Sequence, residues 1–285
     1  MEQLRVAIQK SGRLSEKSLE LLEEAGISLP NGSRNLISQA QDFPLETLFL
    51  RDDDIPEYVQ DAVADIGIVG QNVVMEKRAR LDVIEMLGFA RCRLSLAIPR
   101  DCNYPGIGWF NDKKIATSFP NILERYLSEQ KIEAGIHEIS GSVEIATGIG
   151  LADAIFDIVS TGSTLVSNGL KEVETVMHSE AVLVVNNNLT EGKKALLDKL
   201  LFRIRAVKKS RNNKYILLNA PNYSLQEIIS IIPGMKSPTI MPLAVEGWSS
   251  VHSVLNENEF WTVIDRLKEL GAQGILVIPI EKMII

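Results

Sequence analysis

From residue 4 to about residue 207, short runs of aliphatic and β-branched residues alternate with amphipathic stretches, the pattern of α/β layers. Leu4 to Ile8 reads as a strand, Ser15 to Ala25 as a helix closed by Gly26, and Leu45 to Arg51 returns to strand. Asp54-Ile-Pro56 starts a helix with proline in its first turn, where a missing N–H costs nothing. Asp65 to Gly70 has the composition of a buried strand, and Arg93 to Pro99 and Lys114 to Ser118 are two more. Phe119-Pro120 opens a helix carrying Leu123, Tyr126 and Leu127.

A second pattern begins after Lys214. Strand (Lys214 to Asn219), helix (Leu225 to Ile232), two strands (Pro238 to Ala244, Trp248 to Leu255), helix (Phe260 to Leu270) and strand (Gly274 to Ile280) give βαββαβ, the ferredoxin-like order. The boundary is marked by RIRAVKKSRNNK, Arg203 to Lys214, with six cations and no acid. A phosphate or nucleic-acid patch is one reading. The favoured one is the solvated end of a helix begun near Glu191, where cations complement the C-terminal partial charge.

Chemistry concentrates in Asp157 to Leu165, DIVSTGSTL, where an apolar run ends in an acid and a hydroxyl-rich turn around Gly162. Glycine admits a left-handed backbone that lets the N–H groups of Thr161 to Thr164 converge on an anion, and Leu165 to Asn168 can begin a helix. Two readings stand: a solvated turn, and a phosphate nest. Upstream, Glu144 and Asp157 flank a short helix and strand. Carboxylates beside a phosphate repel it unless a neutral hydroxylated group lies between, and a sugar phosphate supplies that group. DIGIVG at 65–70 echoes DIVSTG at 157–162, displaced by 92 positions (157 − 65). KSGR at 10–13 and Arg51 place cations at the ends of other strands, where an α/β cleft opens.

A chain of 285 residues, 45% hydrophobic, suffices for two domains with buried cores. Its net charge of −7 argues against nucleic acid held through general electrostatics. There is no apolar run of signal-peptide or membrane-spanning length, so a non-exported, cytoplasmic protein without membrane contact is expected. Cys92 and Cys102 lack metal or redox spacing and read as structural, and His137, His178 and His252 as surface or packing residues. The chain has no G-x-x-x-x-G-K-[ST], which removes a P-loop ATPase. A solute-binding protein is disfavoured by the missing export signal. A pure amino-acid sensor would leave two-thirds of the chain without purpose.

Glu144 to Leu165, together with KSGRL, DIGIVG, RLSLAIP, ATSFPNILERYL and GILVIPIEKM, resembles the ATP phosphoribosyltransferase family in its long form over essentially the whole chain. The resemblance implies two periplasmic-binding-protein-like (type II) lobes, 1–92 with 180–207 and 93–179, and a regulatory domain at 212–285. It implies condensation of ATP, through adenine N1, with phosphoribosyl pyrophosphate at the head of histidine biosynthesis, with Mg²⁺ on the leaving diphosphate and no protein metal ligand named. Asp157, Ser160, Thr161, Gly162, Ser163, Thr164 and Leu165 would hold phosphoribosyl pyrophosphate, with Glu144 and Asp157 in the catalytic roles. Lys10, Gly12, Arg13, Arg51 and Gly70 would face ATP or pyrophosphate. Asn219, Ser237, Thr239 and Gly274 would bind histidine as feedback inhibitor, in a homo-oligomer of dimers and hexamers.

Overall fold

A computed structural model describes residues 2–30 and 36–284. The chain divides into two compact units, Met1–Glu23 with Ile27–Leu197, and Glu24–Gly26 with Asp198–Ile285.

The first unit contains two sheets. In the first, β1 (Leu4–Gln9) lies between β3 (Leu45–Leu50) and β4 (Ile66–Gly70), parallel to both. An antiparallel β2 (Ile37–Gln39) edges β3, and β11 (Ala181–Val185) runs antiparallel between β4 and β5 (Asp82–Met86). The second sheet has the order β10 (Leu170–Ser179), β6 (Cys92–Pro99), β9 (Ala154–Val159), β7 (Lys114–Thr117), β8 (Gly135–Glu138). β7, β8 and β9 are parallel, whereas β6 runs antiparallel to both β9 and β10. Strands buried on both faces read as continuous apolar runs, as AVLVV of β11 does with all five residues buried.

The helices α1 (Arg13–Glu24), α2 (Ile55–Gln60), α3 (Gln71–Glu76) and α4 (Pro120–Gln130) follow parallel strands. Gly26, with φ +72°, terminates the turn after α1. Between Glu144 and Asp157 the expected short helix is only a 3-10 turn, Val143–Ile145. Gly148 and Gly150 (φ +75°) follow too closely for a helix to propagate.

The chain passes between the sheets twice, at Leu87–Arg91 and at Glu180. The crossings are knit together by Leu87 N–H to Ala181 O (2.9 Å), Ala181 N–H to Phe89 O (2.9 Å) and an Arg91–Glu180 ion pair (3.1 Å). α3 starts there: the Gln71 amide donates to Glu180 O (3.0 Å) and the Asn72 amide to Ser179 Oγ (3.1 Å). At its far end the buried Glu76 carboxylate accepts the amides of Asn121 (2.9 Å) and Ile122 (3.0 Å). α4 has no side-chain cap of its own at Phe119, so an acid from the other lobe satisfies its first donors.

The second unit holds α6 (Glu191–Arg211) from residue 198 onward, then β12 (Asn213–Pro221), α7 (Leu225–Ile231), β13 (Thr239–Pro242), β14 (Trp248–Asn256), α8 (Glu257–Glu269) and β15 (Gln273–Pro279). Its sheet is antiparallel in the order β13-β14-β12-β15, as a ferredoxin-like βαββαβ fold requires. Ile216, Leu218, Ala220 and Val251 form the core with Ile228, Ile232 and Leu267 of the helical layer. The basic segment 203–214 forms the end of α6, whose last turn carries Lys208, Lys209 and Arg211, and runs on into β12 with Lys214. Arg211 pairs with Glu24 at 2.7 Å.

Replacing Glu76 leaves two amides at the start of α4 without an acceptor. Glu76→Ala is expected to lower stability by about 2 kcal/mol, and Glu76→Gln by less, as urea midpoints at pH 7 will measure.

Candidate active site

β9 is buried along most of its length and delivers the chain to an exposed turn at Ser160 and Thr161. Gly162 has φ +82°, the left-handed conformation the sequence demanded of it. Thr161 Oγ1 and Ser163 Oγ are 3.0 Å apart, bracing the turn from within. Among the described residues, no acceptor takes the amides of Thr161, Gly162 or Thr164. The helix that follows, α5 (Ser163–Ser167), is one turn long, so its dipole adds little at the turn. Leu165 is 6% exposed and its side chain anchors the turn in the core, leaving only its backbone for a ligand.

Asp157 is half-buried near the end of β9 and accepts the Ile158 amide at 2.7 Å. Burial raises its pKa, the Ile158 amide pulls it down, and the charge of Glu144 raises it again, leaving it at about 6. Glu144 is thus near enough for its charge to act on Asp157, which lies three residues before Ser160.

In the first sheet, Lys10, Gly12 and Arg13 follow β1, Arg51 follows β3 and Gly70 ends β4. These three strands are parallel, so all five residues sit at one sheet edge, with Lys10, Arg13 and Arg51 exposed. Lys10 is tied to β3 through its amide and Leu50 O (2.7 Å). The echo between DIGIVG and DIVSTG is looser than the letters suggest. Asp65 precedes its strand and is bound to Lys193 (2.8 Å) and the Arg5 amide (2.8 Å), whereas Asp157 lies within β9. Gly70 is extended (φ −67°, ψ 135°), and a Cβ there would meet Asn72 Oδ1, which accepts from Ser179 Oγ.

Sequence reasoning missed a cluster behind the turn. Arg93 of β6 forms a two-point contact with Glu172 of β10, Nε to Oε1 and Nη2 to Oε2, both 2.6 Å. A cavity of about 560 Å³ lies beside it, lined by Arg93, Arg100 and Lys171 together with Thr161, Gly162 and Ser163 of the turn. Charged residues bounding an apolar strand, as in RLSLAIPR, were the available signal. Pairing with Glu172 across 79 residues was not readable from the letters.

The ATP phosphoribosyltransferase family model matches residues 51–206, and the model for the C-terminal domain of the same family matches 210–282. The chain belongs to the ATP phosphoribosyltransferase family. A protein of that name from Phocaeicola vulgatus is 60% identical over 282 residues, spanning 99% of this chain and all of the relative. Another, from Cytophaga hutchinsonii, is 59% identical over 281 residues, 99% of this chain and 98% of the relative. Among solved structures, the ATP phosphoribosyl transferase (HisG:HisZ) complex from Thermotoga maritima is similar at 32% identity and a TM-score of 0.61, covering 71% of this chain and 99% of that one. An ancestral amino-acid-binding protein, a precursor of cyclohexadienyl dehydratase, shares the two-lobed fold at 16% identity (TM-score 0.50, 73% of this chain and 91% of that one).

In the part matching the family's C-terminal domain, Asn219 and Gly274 meet. Gly274 has φ +58°, and a Cβ there would sit 3.3 Å from Asn219 Nδ2. Thr239 pairs with His252, so β14 separates it from β12 and Asn219, and Ser237 lies just before β13. His252 accepts or donates at both ring nitrogens, to Tyr215 Oη (2.7 Å) and Ser250 Oγ (3.0 Å), which makes it a packing histidine. No helix among the described residues is long and apolar enough to cross a membrane.

Asp157 has a pKa of about 6 in the folded chain against an ordinary 3.8. The folded state thus holds a proton that the unfolded state releases, and the resulting stability, complete below pH 4, fades as pH rises through 6. Asp157→Asn is expected to be more stable than the parent at pH 7 and to lose that advantage towards pH 4, as urea midpoints at the two pH values will read.

Proposed function

We propose that the 160–165 turn grips the 5-phosphate of phosphoribosyl pyrophosphate while Asp157 and Glu144 accept hydrogen bonds from the ribose hydroxyls. Uncommitted amides beside two carboxylates carry this reading: the pairing repels a bare phosphate and suits one joined to a hydroxylated ring. Lys10, Arg13 and Arg51, with Gly12 and Gly70 keeping that edge open, face the polyphosphates of ATP and the departing diphosphate. The two lobes of this reading are residues 1–92 with 180–207, and 93–179.

The reaction joins adenine N1 of ATP to the anomeric carbon of the sugar, the opening step of histidine biosynthesis. The N1 lone pair forms the new bond, and the bonding pair of the carbon–oxygen bond leaves with pyrophosphate. N1 has its lone pair free, so no strong base is required of the protein, consistent with three histidines in packing or surface roles. The barrier lies in charge developing on the leaving group and at an oxocarbenium-like carbon. Turn and carboxylates hold the sugar still; cations at the other strand ends meet the growing negative charge. ATP and the sugar donor are cytoplasmic metabolites, and the reaction is placed there.

A divalent metal, Mg²⁺ in this reading, fits the donor set. Asp157 and Glu144 are hard oxygen ligands whose mutual repulsion a cation relieves, and Mg²⁺ is commonly held by one or two carboxylates plus substrate phosphates. In this reading the substrate diphosphate would be the metal's principal ligand. When bound, the metal neutralises charge on the leaving group.

The last domain, 212–285, is read as the regulatory one, binding histidine near Asn219, Gly274, Thr239 and Ser237. The sheet face opposite α7 and α8 exposes Leu276 (55%) and Ile278 (44%), an apolar surface suited to a subunit contact in a homo-oligomer of dimers and hexamers.

Asp157→Ala and Thr164→Ala are each expected to reduce pyrophosphate release at least a hundredfold or raise the KM for phosphoribosyl pyrophosphate comparably. Near-parental kinetics in both would overturn the assignment. Asn219→Ala is expected to weaken histidine binding at least tenfold by titration calorimetry, and unchanged binding would remove Asn219 from the regulatory site.

A further inference from the structure

The Arg93–Glu172 cluster lies outside the groups that touch substrate in the scheme above, yet it is bonded directly to the turn. Glu172 accepts from Arg93 Nε and Nη2, from Ser95 Oγ (2.7 Å) and from Thr175 Oγ1 (3.2 Å). These hydrogen bonds, that from Arg93 above all, hold its carboxyl down to about 2, so the pair is ionised at neutral pH. A guanidinium fixed along one edge has its remaining nitrogen aimed in a set direction. Here Arg93 Nη1 donates to the carbonyl of Ser160 at 3.1 Å.

That carbonyl shares a peptide plane with the N–H of Thr161. In a trans peptide the two point in opposite directions, so holding the Ser160 oxygen towards Arg93 turns the Thr161 amide away from it. This amide is one of those with no acceptor among the described residues. A loop peptide without such a restraint can flip, because its two orientations differ little in energy when both ends face water.

We propose that Arg93 is a positioning residue for the phosphate turn, clamped by Glu172 so that the Ser160–Thr161 peptide presents its N–H to the sugar phosphate. The proposal rests on the reading that this turn binds the 5-phosphate, and it adds the device that preorganises it. Only the guanidinium serves: a lysine ammonium keeps the charge but cannot span Glu172 and Ser160 in one rigid plane.

The test uses the full chain and two probes, ribose 5-phosphate by calorimetry and steady-state kinetics. In Arg93→Lys the KM for phosphoribosyl pyrophosphate is expected to rise about tenfold while the KM for ATP stays within twofold, the loss of one charge-assisted hydrogen bond. Arg93→Ala should weaken ribose 5-phosphate binding similarly, with partial recovery on adding millimolar methylguanidine, because Arg93 lines the open cavity. Glu172→Gln should reproduce the same KM split, and Arg93→Ala with Glu172→Gln should be no worse than Arg93→Ala alone. Equal losses for both substrates without guanidine rescue would mean a purely structural pair and overturn the clamp. If Thr164→Ala weakens ribose 5-phosphate binding but Arg93→Lys and Arg93→Ala do not, the clamp alone fails. If Thr164→Ala leaves that binding intact, the reading of the turn itself fails.

Discussion

The site depends on one constraint, that backbone amides left over by secondary structure must find acceptors. At 160–165 the chain leaves a buried strand, turns through a left-handed glycine and begins a helix too short to use its own donors. Leu165 fixes the turn from the core side and Arg93 from the sheet side. What remains is a run of N–H groups without acceptors among the described residues, on an exposed turn, and an anion is a natural acceptor for such groups. In the proposed reading Asp157 and Glu144, whose charges oppose each other, favour a ligand whose charge is separated from them by hydroxyls.

A chain of net charge −7 can still gather cations at one sheet edge, because they are sorted by topology rather than by number. Parallel strands share a direction, so the loops after β1, β3 and β4 emerge at one edge and gather Lys10, Arg13 and Arg51 there. In the second sheet the same geometry aligns the ends of β7 and β9. Cations elsewhere are mostly engaged: Lys193 with Asp65, Arg211 with Glu24, Arg91 with Glu180.

Much of this was legible in the letters, and what was not has a common cause. Strands such as β1, β4 and β6 declare themselves as dense apolar runs, and the βαββαβ order of the last domain follows from periodicity and glycines alone. β10 does not, since LKEVETVMHS carries acids, a lysine and a histidine on a strand half-exposed along its length. The glycine of the 160–165 turn was predictable because its backbone requirement is local. Partnerships across 46 or 79 residues, Glu76 with Ile122 and Arg93 with Glu172, were invisible, since either acid reads as solvated surface until the fold brings its donors to it. The false symmetry between DIGIVG and DIVSTG has the same origin: identical letters sit at different points of their strands.

The helix behind Gly70 has a mechanical meaning. α3 begins on the paired crossings and ends, six residues or about 9 Å later, with its terminal carboxylate seated on α4 of the opposite lobe. It is a short strut, so what fixes the loop after β4 also fixes the start of α4.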